Sequence, residues 1–81
     1  MIIILEIKCP LIKPGKKVIH QYGINCLVKR AKKHDVCHLG CPSGYVLRGK
    51  RSFSCSEGDG KANGKWNPDP RTEWNKPNCI G

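Results

Sequence analysis

The sequence predicts a small, disulfide-rich, all-β module of short antiparallel strands, with three disulfides and little helix. Three observations carry that expectation. With 81 residues the chain makes one domain at most, and a core that small is marginal without covalent help. Its six cysteines, at positions 9, 26, 37, 41, 55 and 79, are even in number and spread along the chain, as in a disulfide framework. Each bridge typically contributes about 2–4 kcal/mol, so three would supply most of the stability of such a domain. Finally, Pro10, Pro14-Gly15, Gly23, Pro68, Pro70 and Pro77 interrupt the chain too often for a long helix. Spacing alone does not choose partners among the cysteines.

The elements follow in order. Met1-Ile-Ile-Ile-Leu5 is too short for a signal peptide, whose apolar stretch runs about 7–15 residues, and far too short for a membrane helix of roughly 20. The chain therefore reads as a mature fragment with an added start Met, cut from a larger secreted precursor. Residues 2–7, rich in β-branched side chains, suit an edge strand or a linker between modules. Lys17-Val-Ile-His-Gln-Tyr22 and Cys26-Leu-Val-Lys29 read as short strands around a Gly23-Ile-Asn25 turn. Lys29-Arg-Ala-Lys-Lys-His34 fits either a helical turn or a charged loop. In Cys41-Pro-Ser-Gly-Tyr-Val-Leu-Arg-Gly-Lys-Arg-Ser-Phe-Ser-Cys55, the apolar residues Tyr45, Leu47 and Phe53 suggest a strand pair turning at Arg48-Gly49-Lys50. Beyond Cys55 the chain is turn-rich, and Trp66 and Trp74 are its only large apolar groups, each suited to plug a sparse core. There is no internal repeat and no low-complexity segment.

Charge is the second strong signal. The net charge is +9, and residues 1–55 hold all of the excess: eleven Lys or Arg against Glu6 and Asp35. Residues 56–81 hold four of each sign. The cations cluster at Lys13, Lys16 and Lys17, then at Lys29, Arg30, Lys32 and Lys33, and again at Arg48, Lys50 and Arg51. A basic face of this kind attracts polyanions such as sulfated glycans, anionic membrane or nucleic acid. An oxidised extracellular domain seldom meets nucleic acid, which argues against that partner. The bland alternative is a solvated, soluble surface with no partner. No asparagine begins an Asn-x-Ser/Thr sequon, so N-glycosylation would not mask the face.

Metal and catalytic chemistry find little support. His34-x-x-Cys37-His38-x-x-Cys41 is one cluster with ligand-like spacing, and four such groups would close a structural zinc site. No second cysteine pair stands at matching distance, and disulfides account better for all six cysteines, so no metal or cofactor is expected. A cysteine nucleophile needs a free thiol beside a base such as His20, His34 or His38, and an even cysteine count in an oxidised domain leaves none. Asp69 and Glu73 lie in a Pro-rich loop with no sign of the buried carboxylate that acid–base work requires.

From Cys41 onward the chain resembles a sushi domain, or complement control protein module. The residues that carry the resemblance are Cys41, Gly44-Tyr45-x-Leu47-x-Gly49, Cys55, Gly64-Lys65-Trp66 and Pro77-x-Cys79, with Cys9-Pro10 matching the start of the pattern. The match spans residues 9–79 and is densest over 41–79. It implies an elongated module over residues 9–81, with 1–8 as an N-terminal linker or edge strand. It also implies the pairs Cys9–Cys55 and Cys41–Cys79, which leaves Cys26 and Cys37 to bridge the ends of the basic segment. Two features depart from the pattern: that extra pair, and a long last interval in which Trp74 competes with Trp66 for the family tryptophan. The Gly-x-Trp spacing places Trp66 in the core against Cys41–Cys79, with Tyr45 and Leu47 beside it and Trp74 more exposed.

Sushi modules are non-catalytic recognition units, usually strung in tandem in secreted or cell-surface proteins. The resemblance therefore implies an extracellular binding module, part of a larger multi-module chain, that meets a protein partner or a sulfated glycosaminoglycan. The basic face would supply the attraction, through Lys29, Arg30, Lys32, Lys33, Arg48, Lys50 and Arg51. The competing expectation is a free-standing secreted cationic effector, a host-defence peptide or toxin acting on anionic membranes or channels.

Overall fold

The structure, a computed structural model, describes residues 7–58 and 63–81. It is all-β with no helix among those residues. Eight short strands follow in order: β1 Lys8–Cys9, β2 Ile19–Gly23, β3 Ala31–Lys32, β4 Val36–Gly40, β5 Val46–Arg48, β6 Ser52–Glu57, β7 Gly64–Asn67 and β8 Asn78–Ile80. A four-stranded antiparallel sheet, β2-β4-β6-β7, forms the body, with the pairs β1-β3 and β5-β8 as separate two-stranded sheets. The molecule is elongated, with principal extents of 53 × 21 × 15 Å. Of the N-terminal strand or linker expected over residues 1–8, residues 1–6 lie outside the described residues.

Strand alternation accounts for where the core lies. In β4, Cys37 and Leu39 point inward while Val36 and His38 point out; in β6, Phe53 and Cys55 are buried between more exposed serines. Register puts Cys37 opposite Phe53 and Cys55 opposite Trp66, so the inward side chains of three strands meet. With Cys9, Ile12, Cys26, Ala31 and Leu39 they form the core. Nearly half of that cluster is cystine: the bridges Cys9–Cys55 and Cys26–Cys37 lie inside it. The third bridge, Cys41–Cys79, ties the end of β4 to β8. These are the three pairs the resemblance implies. Sequence separations of 46, 38 and 11 correspond to about 4, 4 and 3 kcal/mol of loop-closure entropy removed from the unfolded chain.

The structure departs from the sequence expectations at several places. The apolar residues on either side of Gly49 do not pair as a hairpin. β5 pairs with β8, Leu47 facing Cys79, whereas β6 lies between β4 and β7. Gly49, at φ +90°, lets the chain leave one sheet for the other. A Cβ there would run into the carbonyl oxygen of Lys76. Lys50 N–H donates to the Asn75 carbonyl and Leu39 N–H to that of Arg51, which holds the crossing on both sides. The two halves of the segment thus serve different disulfides.

Residues 26–29 form a turn and not a strand. The Asn25 carbonyl accepts the amides of Val28 and Lys29, and its side-chain oxygen accepts the amide of Leu27, the local bonding asparagine offers in competition with a strand ladder. The segment 29–34 resolves into neither a helical turn nor a simple loop: Ala31–Lys32 pairs with β1, and Asp35 closes a turn by accepting the Lys32 amide at 2.8 Å.

The aromatic expectation is half right. Trp66 is 5% exposed and Trp74 77%. Trp66 does not pack on Cys41–Cys79, however. It lies opposite Cys55 within the main core, and its indole N–H donates to the Pro10 carbonyl at 2.8 Å. Tyr45, 36% exposed, and the half-buried Leu47 belong instead to the β5-β8 end. The reason is topological: since β5 and β6 part company, side chains only a few residues apart are delivered to different sheets.

Candidate functional site

The basic residues expected to form the binding face lie in two groups. Lys29, Arg30, Lys32 and Lys33 all sit exposed within the loop closed by Cys26–Cys37. This loop is anchored. Buried Ala31 pins its middle, Lys33 N–H donates to the Ile7 carbonyl and His34 N–H to that of Cys55. Arg30 and Lys33 are among its cations engaged internally. The Arg30 guanidinium donates to the carbonyls of Lys8 and Cys9 at 3.4 Å, and Lys33 Nζ lies 2.6 Å from the Glu57 carboxylate. Lys32 is the register partner of Lys8 across the β1-β3 pair. The Lys33 ammonium, through its hydrogen bond and then its charge, holds the exposed Glu57 carboxyl below its ordinary pKa.

Arg48, Lys50 and Arg51 are exposed where the chain crosses between sheets. Arg51 precedes β6 while Glu57, the partner of Lys33, ends it. At about 3.3 Å per residue the two groups are therefore separated by about 20 Å along the strand. They make two basic centres toward opposite ends of β6 and not one continuous patch. Of the remaining cations, Lys17 lies over the Tyr45 ring, 5.3 Å from its centroid.

The weighed metal cluster has a different fate. Cys37 and Cys41 are bonded to Cys26 and Cys79, so neither offers a thiolate, and no cysteine is free. Among the described residues no group of three or more His, Cys, Asp or Glu gathers to hold a metal ion. His38 instead stacks on Tyr22, ring centroids 4.0 Å apart, and its Nδ1 is 2.7 Å from the Ser52 hydroxyl. This Tyr22–His38–Ser52 row crosses three strands on the open face of the large sheet. Sequence reasoning missed it. Its signal was present in the inward–outward alternation of Val36–Gly40, but the partners lie 14 and 16 residues away and only register brings them together. No helix among the described residues is long and apolar enough to cross a membrane.

No protein-family model matches the chain, and neither a curated protein nor a solved structure is significantly similar to it.

Proposed function

We propose that this chain is a non-catalytic extracellular recognition module of the sushi type, which binds sulfated glycans, or a protein partner of like charge, through its basic centres. The observation that carries the reading is the disulfide-closed loop over residues 26–37. It displays four cations on a frame fixed by the core, so little ordering entropy is lost when a polyanion binds. The pairing of Cys9 with Cys55 and Cys41 with Cys79 supports the family resemblance. Three disulfides in so short a chain suit secretion or a cell-surface ectodomain. A second basic centre one strand-length away would engage a further stretch of the same extended chain, adding avidity.

Heparin chromatography tests the reading. Because Arg30 and Lys33 also brace the loop, the informative variant replaces Lys29, Arg48, Lys50 and Arg51 with Gln and leaves the other loop cations in place. The wild type should be retained above physiological salt, about 0.15 M, and the variant should elute earlier with a shallower salt dependence. Elution of both in the same volume, at or below physiological salt, would reduce the charge to a solubility feature.

A further inference from the structure

A groove that none of the loop cations and none of Arg48, Lys50 and Arg51 lines runs beside β7. Residues 10–13 run past β7 and the loop 69–71, and between them lies an open groove of about 860 Å³. That volume falls within the roughly 300–1,000 Å³ typical of ligand-binding clefts. Its exposed apolar group is Leu11, 41% exposed, over a floor of the buried Ile12, Trp66 and Pro70. The hydrogen bond from the Trp66 indole to the Pro10 carbonyl joins the two walls and fixes their separation. Among the described residues four cations line the groove, Lys13, Lys65, Arg71 and Lys76, against the single carboxylate of Asp69. Asp69 is already gripped by both ends of the Arg71 guanidinium at 3.1 Å and by the Arg71 amide at 2.9 Å. The charge left to attract a ligand is therefore that of the three exposed lysines.

We propose that this groove binds an extended acidic peptide segment, its apolar side chain against Leu11 above the buried Trp66 and its carboxylates toward Lys13, Lys65 and Lys76. Two features favour a peptide over a glycan. The exposed Leu11 offers a dry aliphatic contact that a peptide side chain fills more completely than a sugar ring rimmed with hydroxyls and sulfates. Moreover, β7 is the edge strand of the four-stranded sheet; the N-terminal segment bridges to its start at Lys8–Asn63, and an extended chain beside Lys65–Asn67 would meet main-chain groups that a peptide backbone matches. The inference shares with the proposed function only the idea of a binding module. It invokes none of the loop cations, Lys29 to Lys33, and none of Arg48, Lys50 and Arg51.

The test uses the oxidised chain and a fluorescein-labelled Glu-Glu-Leu-Leu-Glu-Glu peptide. Anisotropy should show saturable binding that weakens with salt. Proton–nitrogen correlation spectra should move at the Trp66 indole N–H, Leu11 and Lys65. Leu11→Asn, or Lys13→Gln with Lys65→Gln and Lys76→Gln, should each weaken binding by about tenfold or more, the scale of an apolar anchor or of several rim charges. The triple change of Arg48, Lys50 and Arg51 to Gln should leave peptide binding unchanged while shifting heparin elution, so the two readings fail separately. Equal binding of a Glu-Glu-Ser-Ser-Glu-Glu peptide would overturn the proposal, because the apolar lining would then play no part. Resonance shifts confined to residues 29–33 and 48–51 would overturn it too. So would a heparin octasaccharide that fills the groove in preference to the peptide.

Discussion

At the scale of single residues, the two tryptophans separate structural from surface roles. Trp66 is buried, faces the Cys9–Cys55 bridge and carries a long-range hydrogen bond to the Pro10 carbonyl. Trp66→Ala should cost about 3–5 kcal/mol, enough to unfold a large share of a domain this small. Trp74→Ala removes a side chain that is 77% exposed and should stay within about 0.5 kcal/mol of wild type. Urea unfolding followed by circular dichroism measures both. A Trp74→Ala variant less stable than Trp66→Ala would mean that the core lies elsewhere. Gly49 is the other decisive residue. Its positive φ and the Lys76 carbonyl against its missing side chain mean that Gly49→Ala should destabilise by about 1–3 kcal/mol. Gly44→Ala, also at φ +90° but in open space, should cost less, and the same unfolding assay compares them.

At the scale of elements, the Cys26–Cys37 disulfide and the Lys33–Glu57 ion pair both hold the basic loop, and their contributions differ in kind. Replacing Cys26 and Cys37 together with Ala opens an 11-residue separation and should cost about 3 kcal/mol, read as a lower urea midpoint. The Lys33–Glu57 pair is exposed and acts through pH. Because Glu57 titrates below its ordinary value in the folded chain, its contribution is fully present above the unfolded carboxylate pKa, about 4.3, and disappears as pH falls through the folded one. Wild type and Glu57→Gln should therefore differ in thermal midpoint at neutral pH and converge in acid. A gap that widens on acidification would contradict the pairing. Amide exchange should rank the strands as well: β4 and β6, paired on both sides within the large sheet, should protect longest, and the two-residue β1 and β3 least.

At the scale of the whole molecule, stability rests on cross-links more than on apolar mass. The fully buried side chains of appreciable size are few: Phe53, Leu39, Pro77 and four half-cystines. Summed over three bridges, cross-linking is worth about 10 kcal/mol, as much as the entire stability of a typical domain. Reduction at neutral pH should unfold the chain, with loss of near-ultraviolet circular dichroism and of heparin retention together. Persistence of native dichroism after full reduction would mean that the apolar core suffices by itself. A net charge of +9 adds self-repulsion to this balance, and moderate salt should raise the thermal midpoint of the oxidised form.

Much of this architecture was legible in the residues. The even cysteine count and the frequent proline and glycine pointed to a cross-linked β module with little helix, because short chains lack other routes to stability and turns exclude long helices. Alternation within Val36–Gly40 and Ser52–Glu57 marked which side chains face inward. Partnership was a different matter. Local pattern reads a strand but not its neighbour, so Tyr45, Leu47 and Phe53 looked like one hairpin when β5 and β6 belong to different sheets. The same blindness placed Trp66 on the wrong disulfide and gathered Arg30 and Lys33 with cations from which Glu57 and the β1 carbonyls partly withdraw them. The groove beside Trp66 left no trace in the sequence, since its walls come from segments more than 50 residues apart. Composition and periodicity determined the kind of molecule this is. Long-range register and cross-links, which depend on which distant segments exclude water together, decided where its surfaces lie.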